Sequence, residues 1–147
     1  MNMKYLIVTI DGGGNLPPVF NLIRKLVNDN HTVSVLGEPG MKELVENSGA
    51  IFSPFTEYFA KTDRKKDIYE DWKNRNNTFD NVTFGPMEAV VKETIANIRA
   101  NNTDVLIVDV LLPAALIAGE AMKIPSVCIF HTPEYLPAYN RPPGGLG

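Results

Sequence analysis

The sequence predicts an α/β protein with a doubly wound, mainly parallel sheet, and three observations lead there. Three short runs, at residues 5–10, 105–110 and 126–130, are apolar almost throughout, as strands covered on both faces are. Helical patterns separate the strand-like runs, and strand alternating with helix joins parallel strands by crossovers. With 147 residues the chain fits one compact domain, 1–147, that can bury a real core.

The elements follow in order. Residues 5–10 (YLIVTI) form the first strand and run into Asp11-Gly-Gly-Gly-Asn-Leu-Pro-Pro18. Val19, Leu22, Ile23, Leu26 and Val27 then repeat at helical spacing, with Pro17 and Pro18 where a first helical turn accepts proline. Residues 31–36 (HTVSVL) alternate, which predicts a strand nearer an edge. A short helix at 41–47 ends at Ser48-Gly49, and 50–53 form a further strand. Helices at 86–100, with Met87, Val90, Val91, Ile95 and Ile98 on one face, and at 113–122, small and apolar, flank the strand at 105–110.

Two segments break the alternation. Residues 54–84 are polar and aromatic by turns, too long for an ordinary connection, and read as a partly helical insert that forms a wall of a binding cleft. Within it, 61–76 hold six basic and four acidic residues, the pattern of a solvated mixed-charge helix. The tail at 131–147 (HTPEYLPAYNRPPGGLG) is rich in proline and glycine and cannot continue a sheet.

Composition excludes several function classes. The net charge of −3 gives no basic field for nucleic acid. No apolar run approaches the roughly 20 residues of a membrane span, and the N-terminus lacks a basic segment before an apolar one, so a cytoplasmic protein is expected. Cys128 is the single cysteine and lies in an apolar run, which reads as a buried structural thiol. No metal-ligating cluster is evident.

The loop at 11–18 borders the place where doubly wound sheets bind ligands, outside the carboxyl ends of the strands. A dinucleotide fingerprint starting at Gly12 would place its third glycine at Pro17, and the acidic residue expected at the end of the second strand arrives late, as Glu38. A Walker loop is excluded because no Gly-Lys-Ser/Thr occurs. A tight turn with no further role and a binding loop both remain open from these residues alone.

In series, the motifs resemble a known family. GGGNLPP followed by a helix and then DNHTVSV is similar to the G-x-G-H-x-x-P loop, helix and G-H-x-V strand that open the sugar-nucleotide-dependent glycosyltransferases of GT-B fold, the UDP-glycosyltransferase-like group acting on macrolides, sterols and plant metabolites. Residues 103–109 (TDVLIVD), the helix from Pro113, and Gly119 through Ile124-Pro125 resemble that family's P-D-x-V-V-x-D, small-residue helix and G-I-P. RPPGGLG resembles a segment past its fifth strand. The match runs through most of 1–147 and is weakest over 54–84.

The resemblance implies the Rossmann-like, N-terminal half of a GT-B enzyme, which mainly binds acceptor. The nucleotide sugar would sit largely on a C-terminal donor domain not contained in this chain, leaving the chain with no cofactor of its own and inactive alone. The implied activity is inverting transfer to a small, apolar acceptor; a non-catalytic Rossmann-like binding or partner domain is the alternative, and a nicotinamide oxidoreductase ranks third.

Inverting transfer needs a base for the acceptor hydroxyl, and histidine oriented by a buried carboxylate suits the task. The family's carboxylate maps onto Asp109; its histidine maps onto Asn15, which has no useful basicity, although some antibiotic glycosyltransferases carry Asp there. Asp109 acting directly or through water, nearby Asp11, or Asn15 orienting an easily ionised acceptor are the alternatives, with loss of catalysis a fourth. Gly13, Gly14, Leu16, His131, Tyr58, Phe59 and Trp72 are the implied acceptor contacts. Purely structural roles compete: Asp109 bonding turn amides or capping the next helix, Asp11 stabilising the turn, Asn15 capping a helix or taking a left-handed backbone. His31 sits opposite the expected site and is read as structural, while His131 stands on the correct side with no partner evident.

Overall fold

A computed structural model describes residues 2–11, 14–57 and 87–131. In these lie five strands, β1 (Lys4–Val8), β2 (Thr32–Gly37), β3 (Ile51–Pro54), β4 (Val105–Asp109) and β5 (Ser126–Ile129), and four α-helices, α1 (Leu16–Asn28), α2 (Lys42–Asn47), α3 (Met87–Asn101) and α4 (Ala115–Met122). A short 3₁₀ turn, Pro39–Met41, leads into α2. All strand pairs are parallel, in the order β3-β2-β1-β4-β5. The chain winds outward from β1 to β3, returns through α3, and continues on the other side with β4 and β5. This puts the topological switch point between β1 and β4.

Both faces of the sheet are covered. On one, Val19, Phe20 and Ile23 of α1 and Val45 of α2 pack with Ile7, Val33, Val35 and Ile107. On the other, Val90 and Ile98 of α3 and Ala115 and Ala118 of α4 pack with Leu6, Val8, Leu36, Leu106 and Val108. Alternate residues of β1 and β4 therefore serve opposite layers; β4 is buried from Leu106 on and β1 from Leu6 on.

Four sequence expectations change here. Residues 31–36 alternate in polarity, yet Thr32 is the only partly exposed residue of β2 and Ser34 is buried; β3 holds the edge and covers β2. At the other edge, the run at 126–130 is not covered on both faces: Val127 is 53% and Phe130 60% exposed. Val127 pairs with Ile107, whose face is covered by α1 and α2, and those helices connect strands on the far side of β4. Phe55, expected in the insert, is fully buried in the α3 layer, with its N–H donating to the Gly37 carbonyl at 2.9 Å. Beyond it, the Glu93 carboxylate of α3 accepts the N–H groups of Thr56 and Glu57. Met87 of the expected α3 face is exposed, and Thr94 is buried in its stead, its hydroxyl donating to the Val90 carbonyl at 2.7 Å.

Two glycines are dictated by the backbone. Gly49 follows α2 with φ of 82°, where a side chain would be strained and would also meet Val27 Cγ1 at 3.0 Å. Gly119 of α4 lies against the sheet, and a Cβ there would run into Ser126 Oγ and reach Leu106 Cδ2 at 3.0 Å. Gly49→Ala is expected to cost about 1–2 kcal/mol from left-handed strain, and Gly119→Ala about 1–3 kcal/mol from overpacking. Urea denaturation checks both; an unchanged midpoint for either contradicts the corresponding packing.

Candidate active site

The polar residues buried at the carboxyl end of the sheet converge on Asp109, the last residue of β4. Its side chain is fully buried. Asp109 Oδ2 accepts Thr9 Oγ1–H at 2.8 Å, Asn15 Nδ2–H at 2.7 Å and His131 Nε2–H at 3.0 Å. Oδ1 accepts the Leu111 N–H at 3.0 Å. A carboxylate oxygen has about two acceptor positions, so Oδ2 is fully engaged by its three donors while Oδ1 holds one.

Each partner is placed by the sheet. Thr9 is the first residue past β1, and its N–H donates to the Leu36 carbonyl of β2 at 3.1 Å, carrying the parallel ladder one residue further. His131 follows β5 by two residues. Asp109 and Ile129 are register partners, and the Val110 N–H donates to the Ile129 carbonyl at 3.0 Å, so the chain leaves β5 alongside the Asp109 turn. Three adjacent strand ends thus deliver Thr9, Asp109 and His131 to one point.

Asn15 arrives by a different route. It occupies the position preceding α1, yet its side chain makes no cap hydrogen bond, and φ of −80° is right-handed. Both structural expectations for Asn15 are corrected. A capping side chain accepts N–H groups from the second and third helical residues, and here these are Pro17 and Pro18, which have none. With nothing to cap, the amide turns inward and spends both hydrogens, on the Ile10 carbonyl at 2.8 Å and on Asp109. The same prolines strip α1 of donors that an anion would use at a helix N-terminus.

The structure brings together Asp109, Asn15 and His131 and leaves Asp11 outside this cluster. Asp11 is exposed; its N–H donates to Glu38 Oε1 at 3.1 Å, and it borders an open depression of about 570 Å³ that Phe20, Arg24 and Leu44 also line. Leu16 is buried in the α1 layer and edges the same depression. Gly14 is exposed, with open space where a Cβ would project, so packing does not require glycine there. Gly13, Tyr58, Phe59 and Trp72 lie outside the described residues, as do most of the insert and of the tail. His31 is at the opposite end of the sheet, where its Nδ1 accepts the Met3 N–H at 3.2 Å and its ring meets Tyr5 edge-on.

Sequence reasoning missed Thr9, which looks like one more β-branched strand residue. It also missed the partner of His131, which strand order supplies. The usable signal was that Asp109 and His131 are each the first ionisable residue after an apolar run. Among the described residues no group of His, Cys, Asp and Glu is arranged to hold a metal ion, and no helix is long and apolar enough to cross a membrane.

Cys128 pairs with Val108 and is half-buried, less enclosed than the sequence suggests, because β5 is an edge strand. Burial, with the nearby Asp109 charge, pushes its thiol above the usual range. Less thiolate is then present at neutral pH, so alkylation of Cys128 by iodoacetamide, followed by mass spectrometry, should be slower than that of free glutathione and should accelerate only as pH climbs past the ordinary thiol range. Equal rates at neutral pH would contradict that environment.

No protein-family model and no curated protein matches the chain. Solved structures do. The glycotransferase of kitacinnamycin superposes with a TM-score of 0.66 at 23% identity, covering 90% of this chain and 31% of that one. CalG4, the calicheamicin glycosyltransferase, gives 0.69 at 18%, covering 92% and 35%. SnogD from Streptomyces nogalater gives 0.67 at 16%, covering 88% and 34%. The chain spans about a third of the length of these proteins, and its fold is the Rossmann-like α/β fold found in antibiotic-type GT-B glycosyltransferases.

Proposed function

We propose that this chain is the acceptor-binding half of an inverting glycosyltransferase, transferring a sugar from a nucleotide sugar to a small, apolar acceptor. The observation that carries the reading is the buried Asp109 carboxylate at the switch point, with Thr9, Asn15 and His131 gathered on it. Doubly wound folds place ligands at that position. A buried carboxylate bonded to an imidazole is the arrangement that holds a base and stabilises its cation.

The comparisons support the donor class. VinC is described in complex with dTDP and SsfS6 with thymidine diphosphate, and both are glycosyltransferases with this fold. In the proposed reaction the acceptor oxygen bonds to the anomeric carbon as the bond to the diphosphate oxygen breaks, inverting that carbon. The nucleotide would be gripped by a second, donor domain. The aromatic residues of the insert other than Phe55, which belongs to the core, would supply the apolar acceptor wall.

The alternative is a non-catalytic Rossmann-like binding domain. It is favoured by Asn15, which stands where the resembled family has its base and whose amide cannot take a proton. Asp109→Asn separates the two. Its amide oxygen can retain the bonds from Thr9, Asn15 and His131, while its NH₂ faces the Leu111 N–H, so the variant should fold with a loss of about 1–3 kcal/mol. In the full-length gene product, sugar transfer from dTDP-glucose or UDP-glucose should fall at least about a hundredfold with the circular-dichroism spectrum unchanged. Unchanged turnover would remove Asp109 from the mechanism, and a wild-type protein that transfers no sugar would favour the binding domain.

A further inference from the structure

We infer that His131 is the general base of the proposed transfer, taking the acceptor proton at Nδ1 while Asp109 orients it through Nε2. This rests on the glycosyl-transfer reading above and adds the base that Asn15 cannot supply.

Every other group in the cluster is committed. Asp109 accepts four hydrogen bonds, three of them on Oδ2, and its side chain is fully buried, so neither oxygen faces a space open to a substrate hydroxyl. Asn15 has both amide hydrogens engaged and no basic atom. The Thr9 hydroxyl donates its one hydrogen to Asp109.

His131 differs. Because Asp109 Oδ2 is an acceptor, the shared hydrogen sits on Nε2, and the neutral ring then carries its lone pair on Nδ1. The side chain is only 10% exposed, and Nδ1 is buried without a hydrogen-bond partner among the described residues. A buried nitrogen lone pair left unmatched is destabilising, and such groups in native structures mark functional positions often enough to need an explanation. An acceptor hydroxyl donating to Nδ1 supplies one. The result is a base and an orienting carboxylate in hydrogen-bond contact, with the imidazole delivered from beyond β5 instead of from the loop after β1.

The step balances. The acceptor hydroxyl gives its proton to Nδ1, and its oxygen lone pair forms the bond to the anomeric carbon of the nucleoside diphosphate sugar. The anomeric carbon–oxygen bond breaks, and its electron pair leaves on the nucleoside diphosphate. The resulting imidazolium lies against the Asp109 carboxylate until the proton passes to solvent.

Two acceptors of different acidity test this in the full-length gene product, with dTDP-glucose and UDP-glucose as donors. Benzyl alcohol needs a base; 4-nitrophenol, assayed at mildly alkaline pH where it is mostly the phenolate, does not. His131→Gln should lower kcat/KM for benzyl alcohol by about 10²–10⁴-fold and change that for 4-nitrophenol by less than about tenfold. An unimpaired rate with benzyl alcohol, or equal losses on both acceptors, overturns the assignment of His131 while leaving the transfer reading in place. No transfer by the wild type to either acceptor overturns the transfer reading and the base with it. A second measurement needs no variant: the 147-residue chain has two histidines, and long-range ¹H–¹⁵N correlation should show His131 as the Nε2–H tautomer. An Nδ1–H tautomer overturns the proposal.

Discussion

A carboxylate with no exposed surface must be surrounded by donors or it destabilises the fold by several kcal/mol, and the carboxyl end of this sheet is organised around meeting that demand at Asp109. Each donor comes from a different part of the chain: Thr9 from the end of β1, Asn15 from the head of α1, Leu111 from the turn after β4, His131 from beyond β5. These contacts span up to 100 residues of sequence. They fix the ends of three neighbouring strands and the start of one helix to a single charged group. The same shell of donors that makes Asp109 tolerable in the core leaves its side chain with no exposed surface.

The loop at 11–18 takes its meaning from this. Its prolines deny α1 the donors that a capping side chain or a phosphate would use, and that frees Asn15 to face the interior. Asn15 is then a tether between the Ile10 carbonyl and Asp109. Asn15 brings the loop no basic group, but its amide does bring a hydrogen bond to the carboxylate. The imidazole reaches the carboxylate from another strand.

Much of the fold was legible in the sequence for simple reasons. The apolar runs of β1 and β4 are continuous because both faces are covered, and the stripe through Val19, Ile23 and Val27 has helical spacing. The failures came where tertiary neighbours decide. Ser34 is polar yet buried because β3 lies beyond it, and Val127 is apolar yet exposed because α1 and α2 do not extend past β4. Asp109 was readable from its place at the end of a strand and from the resemblance. Its bond to His131 was not, since nothing in a linear pattern says that β4 and β5 are neighbours in register. The inward turn of Asn15 could have been read from Pro17 and Pro18 alone, by asking which N–H groups its side chain would have left to accept.

In the proposed transfer step Asp109 and His131 act as one unit. A double-mutant cycle on the full-length gene product measures this most directly, because residues acting as a unit are strongly non-additive. The account predicts that the Asp109→Asn, His131→Gln double variant transfers sugar to benzyl alcohol no more slowly, within a factor of about three, than the slower single variant. Losses that multiply would show two independent contributions and contradict it.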